Sequence, residues 1–127
     1  MTKQVISTSK APSAIGPYSQ AIKAGDTIYF SGQIPLVPET MKLISDDFQD
    51  QARQMFKNLS EVIQASGARL DQVVKINLFL VDLSNFKYIN EILTEFFNEP
   101  YPARAAIEVA GLPANALVEV EAIAYVG

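Results

Sequence analysis

The chain has 127 residues, with ten Lys or Arg against fourteen Asp or Glu and a formal charge of −4. Hydrophobic residues make up 49% and charged ones 19%, which excludes a disordered chain and fits one domain over residues 1–127. There is no cysteine and no histidine, so thiol nucleophiles, disulfides, iron–sulfur clusters and a Ser-His-Asp triad are excluded, and no metal site is expected. The basic residues are scattered rather than striped, so no nucleic-acid footprint is expected. The apolar runs are too short for a membrane span, and Met1 to Lys10 lacks the apolar core of a signal peptide. A cytoplasmic protein is the expectation.

Along the chain, Val5 to Ser7 reads as a short strand, followed by a loop punctuated by Pro12 and Pro17. Tyr18 to Ala24 and Thr27 to Ser31 read as a hairpin turned at Gly25-Asp26, and Val37 to Ile44 as an irregular connection. Ala52, Met55, Phe56, Leu59, Val62 and Ile63 recur at helical spacing, which predicts a helix over 46–66. Asp46 with Gln49 fits its start and Gly67 its stop. The charges Asp50, Arg53, Lys57 and Glu61 read as its solvated face.

Val73 to Val81 reads as a strand with Val74, Ile76, Leu78 and Leu80 on one face. A second helix is expected from a Ser84 cap to about Phe97, with Phe86, Ile89, Leu93 and Phe96 inward. Arg104 to Val109 and Val118 to Val126 complete the order β-β-β-α-β-α-β-β. That order predicts an α+β two-layer sandwich, a mixed sheet with two helices on one face. The other face would carry Val, Phe and Tyr and so favour self-association.

Four constellations carry possible chemistry. Gly16-Pro17-Tyr18 is a rigid turn that delivers an aromatic ring, and taken alone it reads as packing over a hydrophobic edge. In Ser31-Gly32-Gln33-Ile34-Pro35, Gly32 permits close backbone approach of a ligand or marks a β-bulge. Arg104 shares a strand face with Ala106 and Glu108, either as a guanidinium in a roomy pocket or as a strand-edge ion pair. Glu119 and Glu121 share a face of the last strand, where partial burial would raise a carboxyl pKa toward the range useful for proton transfer.

Together, Gly16-Pro17-Tyr18, Ser31-Gly32-Gln33-Ile34-Pro35, Tyr101-Pro102-Ala103-Arg104 and Val118-Glu119-Val120-Glu121-Ala122 resemble the signature of the Rid family, also called YjgF or perchloric-acid-soluble (L-PSP) proteins. The likeness runs over nearly the whole chain. It implies a chorismate-mutase-like fold assembled as a homotrimer with clefts between subunits. It also implies a cofactor-free deaminase that hydrolyses enamine and imine intermediates, such as 2-aminoacrylate and 2-iminobutanoate, to 2-oxo acids and ammonia. By position, Arg104 would clamp the substrate carboxylate, Glu119 would hold or activate water, and Tyr18, Ser31 and Gly32 would line the cleft. Asn90 falls where the family often has asparagine and is read as structural. The chain departs from the deaminase subgroup at Ala106, where cysteine is common. The competing readings are a non-catalytic binder of 2-oxo acids and an endoribonuclease, the latter opposed by the acidic balance and the missing histidine.

Overall fold

The computed structural model describes residues 2–127. Strands β1 (Lys3–Ile6), β2 (Ala21–Ala24) and β3 (Thr27–Gln33) form an antiparallel meander, followed by a small hairpin of β4 (Leu36–Val37) and β5 (Lys42–Leu43). Helix α1 (Phe48–Ala65), strand β6 (Val73–Leu80), helix α2 (Phe86–Leu93), strand β7 (Ala103–Glu108) and strand β8 (Val118–Tyr125) complete the chain. The main sheet has six strands in the order β1-β2-β3-β8-β6-β7. Only β6 and β7 run parallel, as expected for two strands joined by a helical crossover. The predicted mixed α+β sandwich is therefore observed, with the 36–43 hairpin replacing the irregular connection.

The last strand in sequence is central in space. It lies between β3 and β6, and its alternate residues Val118, Val120, Ala122 and Ala124 are buried. Above them sits the apolar stripe of α1, where Ala52, Met55, Phe56, Leu59, Val62 and Ile63 are all inaccessible to solvent. Phe56 meets the Phe96 ring at a tilt and the Phe97 ring edge-on, with centroids 5.3 and 6.2 Å away, and so joins α1 to the segment after α2.

Several boundaries differ from the sequence expectation, each for a local reason. The cap of α1 is Asp47, not Asp46, and its carboxylate accepts from the Asp50 amide at 3.0 Å. Gly67 does terminate the helix, in the left-handed region at φ +84°. Strand β2 begins at Ala21 rather than Tyr18, because the Tyr18 amide turns back to the Gly16 carbonyl at 2.9 Å. Ser84 does not cap α2: Asp82 accepts from the Ser84 amide at 2.9 Å and closes a single 3₁₀ turn ahead of it. α2 ends at Leu93, where the Thr94 hydroxyl donates to the Glu91 carbonyl at 2.6 Å, and the chain continues as turns to Phe97.

Val74 is the one misplaced face. The pairing between β6 and β8 shifts between Val73 and Lys75, so Val73 is buried and Val74 is 48% exposed. Beyond that bulge the alternation holds, with Ile76, Leu78 and Leu80 facing the helices. The opposite face has no helix above it, and Tyr29, Ile107, Tyr125 and Val5 on the sheet are each more than half exposed.

Leu78 stands fully buried in the middle of β6, paired with Val120 on one side and Ala106 on the other. Leu78→Ala is expected to cost about 2–5 kcal/mol of stability through lost burial and a residual cavity. Urea unfolding measures it, and a loss below about 1 kcal/mol would mean that the sheet repacks over the site.

Candidate functional site

Arg104 lies on β7, an edge strand, where its register partner is Ile76 and its face is the one that carries the helices. Its Nη1 donates to Asn90 Oδ1 at 2.7 Å, and the guanidinium lies 4.9 Å over the Phe86 ring. Both partners belong to α2, so the helix supplies a neutral acceptor and a flat apolar floor. The neutral acceptor matters because a carboxylate there would compete with an anionic ligand. Beside this arginine opens a cleft of about 500 Å³, lined by Asn90, Leu93, Thr94, Tyr101, Pro102 and Arg104. Ala106 adjoins a second hollow on the other flank of Arg104, with Leu83 and Phe86. Asn90, read from the sequence as structural, holds the arginine in place.

Glu119 occupies the other side of the sheet. Its register partner is Phe79, while its neighbours Val118 and Val120 point into the core. Toward β3 it meets a bulge, where the pairing with β8 shifts between Phe30 and Gln33. Gly32 sits in that bulge, and the Glu119 carboxylate lies directly over it. A Cβ at position 32 would collide with Oε2 and stand 2.9 Å from the carboxyl carbon. A side chain at position 32 would therefore displace the Glu119 carboxylate from its present place, an effect of close approach and not of turn geometry.

Burial, and secondarily the neighbouring Glu121, raises the Glu119 carboxyl above its ordinary value. Glu121 is itself anchored, accepting from Asn77 Nδ2 at 3.2 Å. Ser31 donates its hydroxyl to the Ser19 carbonyl at 2.6 Å, which pins the end of the Tyr18 loop onto β3. Tyr18 and Gly32 share a small hollow of about 130 Å³ with Ile15, Ile34, Leu36 and Met41.

One group of predicted residues therefore comes together, namely Tyr18, Ser31, Gly32 and Glu119, while Arg104 stands apart. Arg104 on β7 and Glu119 on β8 are two strand spacings apart, about 10 Å, and they project from opposite faces. Within one chain they do not meet. Phe86 packs against the core as its inward placement predicts, and sequence reasoning missed its second role as the floor beneath Arg104. The signal was available in the spacing, since Phe86 and Asn90 are four apart and share one side of a helix. Among the described residues no cluster of three or more acidic groups is placed to hold a metal ion. No helix among the described residues is long and apolar enough to cross a membrane.

The result is a two-layer α+β protein whose ionic groups are displayed at sheet edges and on an uncovered face, not enclosed within one chain. The profile of the family described as Endoribonuclease L-PSP matches residues 8–126, and the chain belongs to that family, the Rid or YjgF proteins. The human 2-iminobutanoate/2-iminopropanoate deaminase is 44% identical over 127 residues, covering 100% of this chain and 93% of that protein. The chloroplastic Reactive Intermediate Deaminase A of Arabidopsis thaliana is 50% identical over 96% of this chain, which spans 65% of that longer protein. The crystal structure of RidA from the Antarctic bacterium Psychrobacter superposes with a TM-score of 0.92 at 50% identity, covering 96% of this chain and 98% of that one.

A carboxyl whose folded pKa is raised binds its proton more tightly folded than unfolded. Stability from Glu119 is therefore greatest at low pH and falls as pH rises through the ordinary carboxylate range to the raised value. Glu119→Gln, which cannot ionise, is expected to melt higher than wild type at pH 7 and to lose that advantage near pH 4. Thermal melts of both proteins across this range check it, and a constant difference at all pH would show that Glu119 titrates normally.

Proposed function

We propose that this chain is a cofactor-independent deaminase of 2-imino acids, working as a single domain over residues 1–127. Arg104 carries the reading. With Asn90 taking one Nη1 hydrogen and Phe86 fixing the plane, the remaining donors form a ready fork for a carboxylate. That is the group a 2-imino acid offers beside its reactive carbon. The deaminase names of relatives 44% and 50% identical support the same chemistry.

In this reading Arg104 binds the carboxylate and Glu119 holds a water beside the imine carbon, with Tyr18, Ser31 and Gly32 lining the cleft. Water adds its oxygen to the carbon and a proton to the nitrogen, giving a carbinolamine. The carbon–nitrogen bond then breaks as the carbonyl forms, and nitrogen leaves as ammonia. Glu119 accepts the water's proton and returns it to the departing nitrogen. Orientation converts a slow bimolecular hydration into an effectively unimolecular one. Ala106 offers no thiol, and this sequence of steps uses none. The acidic balance and the absence of histidine disfavour RNA cleavage, despite the family's description.

Because Arg104 and Glu119 face opposite ways in one chain, the site is completed by a second copy. We propose a homotrimer, with the uncovered sheet faces buried together and each cleft shared by neighbouring subunits. A cytoplasmic location belongs to the same proposal. Light scattering is expected to give three times the 13.9 kDa chain mass. A stable monomer that still turns over substrate would break the shared-site reading.

The direct test generates 2-iminobutanoate with a dehydratase and follows its hydrolysis with and without the protein. Acceleration is expected, and binding of 2-oxobutanoate without acceleration would make the chain a binder instead. Arg104→Lys keeps the charge but loses the fork, and is expected to cost about 2–4 kcal/mol of transition-state binding, roughly a hundredfold in rate. Retention of most of the rate would return Arg104 to a structural role.

A further inference from the structure

Gln51, Gln54 and Asn58 are fully or nearly buried, and they follow one another at helical spacing along α1. A helix that only needed to cover a sheet would place apolar groups there. Instead each amide makes a directed bond. Gln54 Nε2 donates to Asn58 Oδ1 at 2.8 Å, which turns the Asn58 amide hydrogens toward the main chain. Asn58 Nδ2 then donates to the carbonyls of Ile34 at 3.1 Å and Leu36 at 2.8 Å. Gln51 donates to the Ser45 carbonyl and accepts from the Leu117 amide, both at 2.8 Å.

These contacts bracket the Glu119 site. Ile34 lies two residues beyond Gly32, where β3 leaves the sheet after its bulge, and Leu117 lies two residues before Glu119, where β8 enters it. The two strands that must bring a carboxylate against a bare Cα are thus tied to the same face of the same helix. Apolar contacts resist sliding weakly because they have no preferred direction, whereas a satisfied amide network fixes position. No buried side-chain nitrogen or oxygen among the described residues lacks a partner, so the network is complete.

We propose that α1 is the positioning element of this site, with Gln51 and Asn58 as positioning residues that set where Glu119 and Gly32 stand relative to each other. The inference rests on Glu119 as the group that holds the water. It assigns no contact with substrate to either amide. A displacement of about 1 Å at a reacting group is enough for losses near a hundredfold, so loosening these two strand ends is expected to lower turnover without changing affinity.

Asn58→Leu and Gln51→Met keep side-chain volume and delete the bonds. Gln54→Leu is milder, removing only the amide that orients Asn58, and Val62→Ala on the same helix serves as a packing control. Each is compared with wild type for kcat and KM on 2-iminobutanoate, for 2-oxobutanoate affinity, and for the Glu119 carboxyl titration by NMR. The charged neighbour of Glu119 is Glu121 on its own strand, while β3 presents Gly32 and Ser31 and β6 presents Phe79, none of which titrates in the working range. The expected result is a kcat lower by about tenfold or more, with KM and 2-oxobutanoate affinity within about twofold. The Glu119 titration should move back toward the ordinary carboxylate value, with Gln54→Leu intermediate and Val62→Ala unchanged in kcat and titration. Losses no larger than those of Val62→Ala, or kcat and KM falling together, would overturn the proposal. If wild type shows no turnover, the deaminase reading fails by itself. The NMR titration then still decides positioning, and a Glu119 value identical in every folded variant would sink it.

Discussion

A side chain on a strand can face only one side of its sheet, and a sheet whose helices all lie on one side has two unlike faces. Everything functional in this chain is distributed by that constraint. Arg104 pairs in register with Ile76 and therefore joins the helix side, where Asn90 and Phe86 receive it. Glu119 pairs with Phe79 and joins the uncovered side, where only the bulge of β3 approaches it. A guanidinium and a carboxylate that met within one chain would neutralise each other. Held apart, the guanidinium pairs with a neutral amide and the carboxyl stays partly desolvated.

The lack of histidine and cysteine throws the burden of any chemistry onto groups that are poor catalysts in water. A glutamate becomes useful near neutral pH only if its environment raises its pKa, and here burial does so with help from Glu121. An arginine becomes specific only if its plane is set, and here one hydrogen bond and one aromatic ring set it. Both effects come from placement. The buried amides of α1 belong to the same logic, since Gln51 and Asn58 secure main-chain segments and Gln54 orients Asn58.

Much of this was legible in the residues. The period-two alternation along β8 separates Val118 and Val120 from Glu119 and Glu121, and the structure keeps that separation. The stripe of α1 predicts the residues that pack on the sheet, and Gly67 its end. Arg104 in an alanine-rich strand stands out because small neighbours leave room around a guanidinium. The grouping of Tyr18, Ser31, Gly32 and Glu119 emerged from motif resemblance, and the bulge supplies its physical reason. What the alternation misjudged was Val74, because the bulge between Val73 and Lys75 puts an extra residue into β6, so that Val73 rather than Val74 enters the core while the faces beyond it stay as expected.

Composition and local period thus determined by themselves the α+β class, the two helices, the core stripe and the residue types left to perform chemistry. These depend on neighbours a few positions apart, which a single segment contains. Only the tertiary structure decided that the last strand lies at the centre, that Arg104 and Glu119 face away from each other, and that Gln51 and Asn58 hold strand ends instead of meeting solvent. Each of those facts is a pairing between segments far apart in sequence, made by register and packing that no segment encodes alone.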